Sequence, residues 1–141
     1  MPFRALDSIA VGGEALWLLI GRVLMGVLFL PSGWGKLMDP SRMTGMLTGK
    51  GAPAPLALAI LAAVVEFFGA LAVVVGFKTR CAALAMAVFT VIAAFLGHPY
   101  WTLEGAARQP QYIQFYKDLA IVAGFLFLFV RGAGPWSIDR R

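Results

Sequence analysis

The sequence predicts an all-α integral membrane protein, an up-down bundle of four helices with both termini cytoplasmic. Three observations predict it. Hydrophobic residues make up 60% of the 141 and charged ones 13%, where a soluble domain carries about 25% charged residues. Four apolar runs fall within the roughly 17–25 residues of a membrane-spanning helix, and residues 56–76 reach ~30 Å at 1.5 Å per residue. The links between them are short, so neighbouring spans run antiparallel.

Residues 1–15 (MPFRALDSIAVGGEA) mix polar and apolar types and are expected at the surface. The first span covers about residues 16–37. With Arg4 ahead of it the run resembles a signal peptide, but Arg22 interrupts it and no A-x-A-like site follows, so an uncleaved span is expected. Pro31 lacks an N–H and crowds the preceding turn, which predicts a kink or early unwinding there. Asp39 to Pro55 is rich in Gly, Pro and polar residues and reads as a loop holding one short interfacial helix.

The second span, about 56–76, carries a single charge, Glu66, near its middle. Gly76 to Arg80 forms a tight turn, with Gly76 ending one helix and Thr79 placed to cap the next. The third span, about 81–97, is rich in alanine, and His98 to Gln111 is a polar loop that opens on aromatics. The fourth span covers about 112–131, after which Gly132-Ala133-Gly134-Pro135 breaks the helix before the tail WSIDRR. The length allows one domain, 1–141. Seven cations (Arg4, Arg22, Lys78, Arg80, Arg131, Arg140, Arg141) fall on the side of the termini and five (Lys36, Arg42, Lys50, Arg108, Lys117) on the other. That excess favours cytoplasmic termini.

Several function classes are excluded. There is one cysteine, Cys81, and one histidine, His98, so thiol–disulfide exchange within the chain, bis-His haem and a zinc site all lack ligands. No covalent or metal cofactor is expected, and Cys81 reads as a small buried helix residue. The basic residues lie between apolar runs without a clustered patch. They fit anionic headgroups rather than nucleic acid, which makes the lipid bilayer the expected partner.

At 100° per residue, Glu66 shares a face with Ala59, Ala62, Ala63, Gly69 and Ala70, Arg22 with Gly26 and Gly33, Lys117 with Ala120 and Gly124, and His98 with Ala94, Ala87 and Ala83. Small residues mark close helix contacts in membranes, so these charges are expected to face inward. Arg22, Glu66, Lys117 and Asp118 then form a buried cluster with two charges of each sign. Arg22 is the favoured partner of Glu66, because guanidinium matches carboxylate bidentately. Two roles stay open: a structural pair that specifies register, and a cluster that also meets a ligand or proton. A second group, Trp34, Lys36, His98, Tyr100, Trp101, Gln109 and Gln114, gathers at the opposite mouth. Its Trp and Tyr residues suit belt anchors, while an imidazole, an ammonium and indole faces suit a quinone-like head.

GRVLMGVLFLPSGWGKL (Gly21 to Leu37), EFFGALAVVVGFKTRCAAL (Glu66 to Leu84), HPYW (His98 to Trp101), KDLAIVAG (Lys117 to Gly124) and GPWSID (Gly134 to Asp139) together resemble the DoxX family of small four-span bacterial membrane proteins. The resemblance implies a bacterial inner-membrane location and an association with redox chemistry, through quinone-coupled oxidation or soluble oxidoreductases. The family's recurring polar positions match Arg22, Lys36, Glu66, Thr79-Arg80, His98 and Lys117. Asp118 stands where Asn is frequent, and Pro99 displaces an aromatic. The implied function is a quinone-interacting membrane subunit or anchor of an oxidoreductase complex, with Trp34, Lys36, His98 and Trp101 at the ligand mouth. The alternative is a non-catalytic scaffold or assembly factor. A solute carrier is disfavoured by the lack of an inverted repeat.

Overall fold

Four helices in the computed structural model, which describes residues 2–140, are long and apolar enough to cross a membrane. Arg141, one of the charges counted toward cytoplasmic termini, lies outside the described residues. The α-helices are α1 (Pro2–Gly12), α2 (Glu14–Met38), α3 (Ser41–Gly49), α4 (Pro55–Val75), α5 (Thr79–Gly97) and α6 (Arg108–Arg131). Two 3₁₀ turns, Tyr100–Thr102 and Gly105–Ala107, link α5 to α6. The chain is 82% helical, and no strand occurs among the described residues. α2 packs along α4 and α5 along α6, with α4 against α5 joining the two hairpins and α3 folded back on α4.

Each boundary has a local cause. Helix α2 runs unbroken through Pro31. The expected unwinding does not occur because Pro31 is exposed and forfeits only the bond its N–H would have given the Val27 carbonyl. Helix α3 is the short helix expected in the first loop. Just before it, the Asp39 carboxylate accepts the Ser41 N–H at 3.0 Å. Hydrogen bonds from the Ser41 hydroxyl and N–H hold that carboxyl below its ordinary pKa. Helix α4 has Pro55 at its start, where a missing N–H costs nothing. It ends at Gly76 in the left-handed region (φ 71°), with Phe77 N–H reaching Ala72 O at 2.9 Å. Helix α6 starts four residues before the expected position, since Pro110 is tolerated in the first turn of a helix.

The start of α5 corrects an expectation. Thr79 does not cap it; Asp139 does. The Asp139 carboxylate accepts Lys78 N–H at 2.9 Å, Thr79 N–H at 2.7 Å and the Thr79 hydroxyl at 2.8 Å. The tail that carries it lies on the end of α4, where Ile138 N–H donates to Val75 O and Asp139 N–H to Gly76 O, at 3.1 and 2.8 Å. Orphan amides of one helix and orphan carbonyls of another are thus satisfied by a single tail.

Packing follows the physics of lipid rather than water. Large apolar side chains such as Leu24, Val27 and Phe127 are exposed, facing where acyl chains lie. The core is built largely from small residues and a few large ones: Ala70, Ala83 and Ala87 with Phe29, Val73, Met86, Phe125 and Leu128. With no hydrophobic force between helices in hydrocarbon, close backbone approach supplies the contact. A Cβ at Gly33 would fall 2.7 Å from the Phe67 backbone nitrogen, so glycine is required there. Cys81, read as buried, is instead exposed on α5, because the inward stripe of that helix runs through Thr79, Ala83, Met86, Ala87, Thr90 and Ala94.

Two outcomes follow. Gly33→Ala must push α2 off α4 and lower the melting temperature in detergent, while Gly35→Ala, which meets no atom within 4 Å, leaves it within a degree or so. Asp139→Ala removes the cap and should cost about 1–2 kcal/mol, read as a lower melting temperature and faster amide exchange at Lys78 and Thr79.

Candidate functional site

Glu66 projects from the middle of α4 into the α2–α4 seam, with its side chain 3% exposed, and Lys36 Nζ meets it at 2.6 Å. Lys36 also donates to Ser32 Oγ, one turn back on α2, at 3.1 Å. The Lys36 side chain is 34% exposed, so the pair joins a buried carboxylate to a partly exposed lysine. A charge-assisted bond this short is strong, and it answers the cost of leaving Glu66 unpaired in hydrocarbon. Trp34 packs at a tilt of 47° against Phe67 beside it, with centroids 5.6 Å apart.

The partner expected for Glu66 was Arg22, and the structure corrects this. α2 and α4 are antiparallel, with Gly33 against Phe67 and Gly26 against Val74. That register sets Lys36 opposite Glu66 and leaves Arg22 ~20 Å lower by helix rise. Arg22, 1% exposed, instead donates Nη1 to Val74 O at 2.7 Å and Nη2 to Trp136 O. Its Nε finds no partner. Backbone carbonyls left over at a helix end are good acceptors for a buried guanidinium.

Lys117 and Asp118 also part company. Lys117 is exposed on α6 and does not join Glu66. Its long stem lets the ammonium reach toward the headgroups, so an inward position is not needed to satisfy it. Asp118, 14% exposed, lies 3.6 Å from His98 Nε2, and His98 Nδ1 lies 2.6 Å from Gln111 Oε1. With the Gln111 amide oriented so that Oε1 accepts, Nδ1 carries a proton, and the edge facing Asp118 is protonated only in imidazolium. The four residues expected as one cluster thus fall in three places: Arg22 near the termini, Glu66 with Lys36, and Asp118 with His98, while Lys117 stands outside.

Above the His98 group, Tyr100 and Trp101 pack on Phe115 at 5.5 and 5.7 Å, and Tyr100 on Tyr112 at 5.1 Å. Trp101 also packs on Phe95 at 5.7 Å. This aromatic group belongs to the α5–α6 hairpin, whereas Trp34 and Lys36 belong to α2–α4. The expected mouth is therefore two polar–aromatic stations, one per hairpin.

The DoxX family model matches residues 17–99, a stretch that holds Arg22, Lys36, Glu66 and His98. This chain belongs to the DoxX family. It is 40% identical over 128 residues to inner membrane protein YqjF of Escherichia coli (strain K12), covering 90% of this chain and 92% of that one. To inner membrane protein YphA of the same organism it is 37% identical over 124 residues, covering 88% and 89%. To the uncharacterized membrane protein Rv3486 of Mycobacterium tuberculosis it is 34% identical over 134 residues, covering 85% and 77%. No solved structure matches it. With four spanning helices and relatives in the inner membrane, the DoxX chain is a multi-pass inner-membrane protein.

Sequence reasoning missed two polar residues of this DoxX chain. Gln111 was readable, since it precedes Asp118 by two turns on one face of α6. Asp139 was not, because no periodicity links a tail to a distant helix start.

The two halves of the Lys36–Glu66 pair should respond unequally. Lys36→Met strands a carboxylate with almost no access to water and should cost about 3 kcal/mol, the lower end for breaking a buried pair. Glu66→Gln leaves an ammonium that can turn to solvent and should cost less. Melting temperatures of the two variants in detergent, with the double variant as reference, measure the difference.

Proposed function

We propose that this DoxX protein is the quinone-interacting membrane subunit of an oxidoreductase complex, with its termini cytoplasmic. The observation that carries the reading is the Lys36–Glu66 pair, an almost fully buried carboxylate held 2.6 Å from the ammonium of a one-third exposed lysine side chain inside a spanning bundle. Intramembrane ionisable groups mark ligand or proton sites by default, and this one has an accessible half. Lys36 would donate to a quinone oxygen, Glu66 would set its charge, and Trp34 and Phe67 would offer flat faces to the ring. His98, with Asp118 and Gln111 behind it, and Trp101 provide a second such station.

Reduction of a quinone to a quinol takes up two electrons and two protons. The electrons would come from a partner oxidoreductase, because one histidine and one cysteine cannot hold a conventional redox centre. The chain itself would bind, orient and pass protons. The second reading, a scaffold or assembly factor with structural polar pairs, is favoured by Arg22, whose bonds to Val74 O and Trp136 O tie three segments together.

Protein purified in mild detergent should carry quinone detectable by mass spectrometry of its lipid extract. Glu66→Gln should lower that content by about tenfold, with the bundle still folded. Wild-type protein that neither retains nor binds added ubiquinone would sink the redox reading and leave the scaffold.

A further inference from the structure

Helices α2 and α6, the first and last spans, close the bundle through side chains: the Met25 methyl lies against Gly124, and the Phe29 and Phe125 rings sit 5.6 Å apart. Toward the termini from these contacts the two helices part into a groove of about 250 Å³, lined by Trp17, Gly21, Arg22, Phe127, Leu128 and Arg131 among others. Trp17 and Phe127 are 52% and 76% exposed, so the groove opens sideways onto the bilayer. Its walls are apolar, and its polar character is cationic. Arg22 lies buried in it with Nε unpartnered, and Arg131, the last residue of α6, stands at the lip. Glu14 pairs with Arg131 across that lip, so the groove and its lip carry two guanidiniums and one carboxylate.

We propose that this groove binds one anionic phospholipid, its acyl chain against Gly21, Phe127 and Leu128 and its phosphate at Arg131 and Arg22. The division of the groove carries the assignment. An apolar trough ending in net positive charge, where a spanning helix ends, matches a molecule with a chain at one end and a phosphate at the other, and basic pockets between spanning helices recognise such headgroups. The phosphate shares Arg131 with Glu14 through the remaining guanidinium N–H groups, five donors being available on one arginine. The occupant comes from the membrane, and the site is separate from the Lys36–Glu66 pair.

Gly21 gives a test that spares the fold. A Cβ there meets no atom within 4 Å, and the same holds at Gly35 on the same helix outside the groove. Native mass spectrometry of detergent-purified protein, titrated with phosphatidylglycerol or phosphatidylcholine, should show one phosphatidylglycerol retained about tenfold more tightly. Gly21→Leu should abolish that preference, and Arg131→Gln should weaken it about fivefold, the worth of one cation near a membrane surface. Gly35→Leu should keep it. Equal retention of the two lipids, or wild-type retention by Gly21→Leu, overturns the proposal. So does full competition by free glycerol phosphate, which would make the site one for a soluble anion.

Discussion

At Gly33 nothing but hydrogen stands between the α2 backbone and the α4 backbone at Phe67, and this approach fixes the register of the first hairpin. In water a slipped register would be punished by exposed apolar surface. In lipid that penalty vanishes, so register rests on where backbones fit and where polar groups find partners. Gly26 against Val74 repeats the fit one step along. Once the two helices lock there, Lys36 meets Glu66, and Arg22 meets the carbonyls at the end of α4. The polar geometry is a consequence of the glycine spacing.

The architecture was legible because length and hydropathy decide it. Any run of about 20 apolar residues must cross, and short links then leave only an up-down order. The inward faces of α2, α4 and α5 were legible too, since Gly26 and Gly33, Ala59 and Ala70, and Ala83 and Ala94 mark them by period. On α6 the same rule failed. Ala120 and Gly124 share the Lys117 stripe, yet Lys117 is exposed, and the buried positions Phe115, Phe125 and Leu128 are large. Small residues report close approach only where another helix is present at that depth, and α2 reaches α6 at Gly124 but not at Lys117.

Pairing was the least legible level. Charge balance named the right carboxylate and the wrong cation, because bookkeeping ignores height along the bundle. Arg22 is the better chemical match for Glu66, but geometry gives it carbonyls, and the less deep Lys36 sits at the correct level. His98 behaves similarly. Its partners come from α6 alone, so it serves the second hairpin and does not bridge to the first. Each hairpin thus carries its own polar group and its own aromatic neighbours, joined through the α4–α5 contact.

The tail has a consequence in time. Arg22 is made early and Trp136 late, and the bond between them spans 114 residues. Until those last residues emerge, the first span holds a guanidinium with half its acceptors missing, and α5 begins with bare amides. A chain that stalls short of Trp136 would hold all four spans and lack both of these contacts. The stability of the bundle thereby draws on a segment made after its last span.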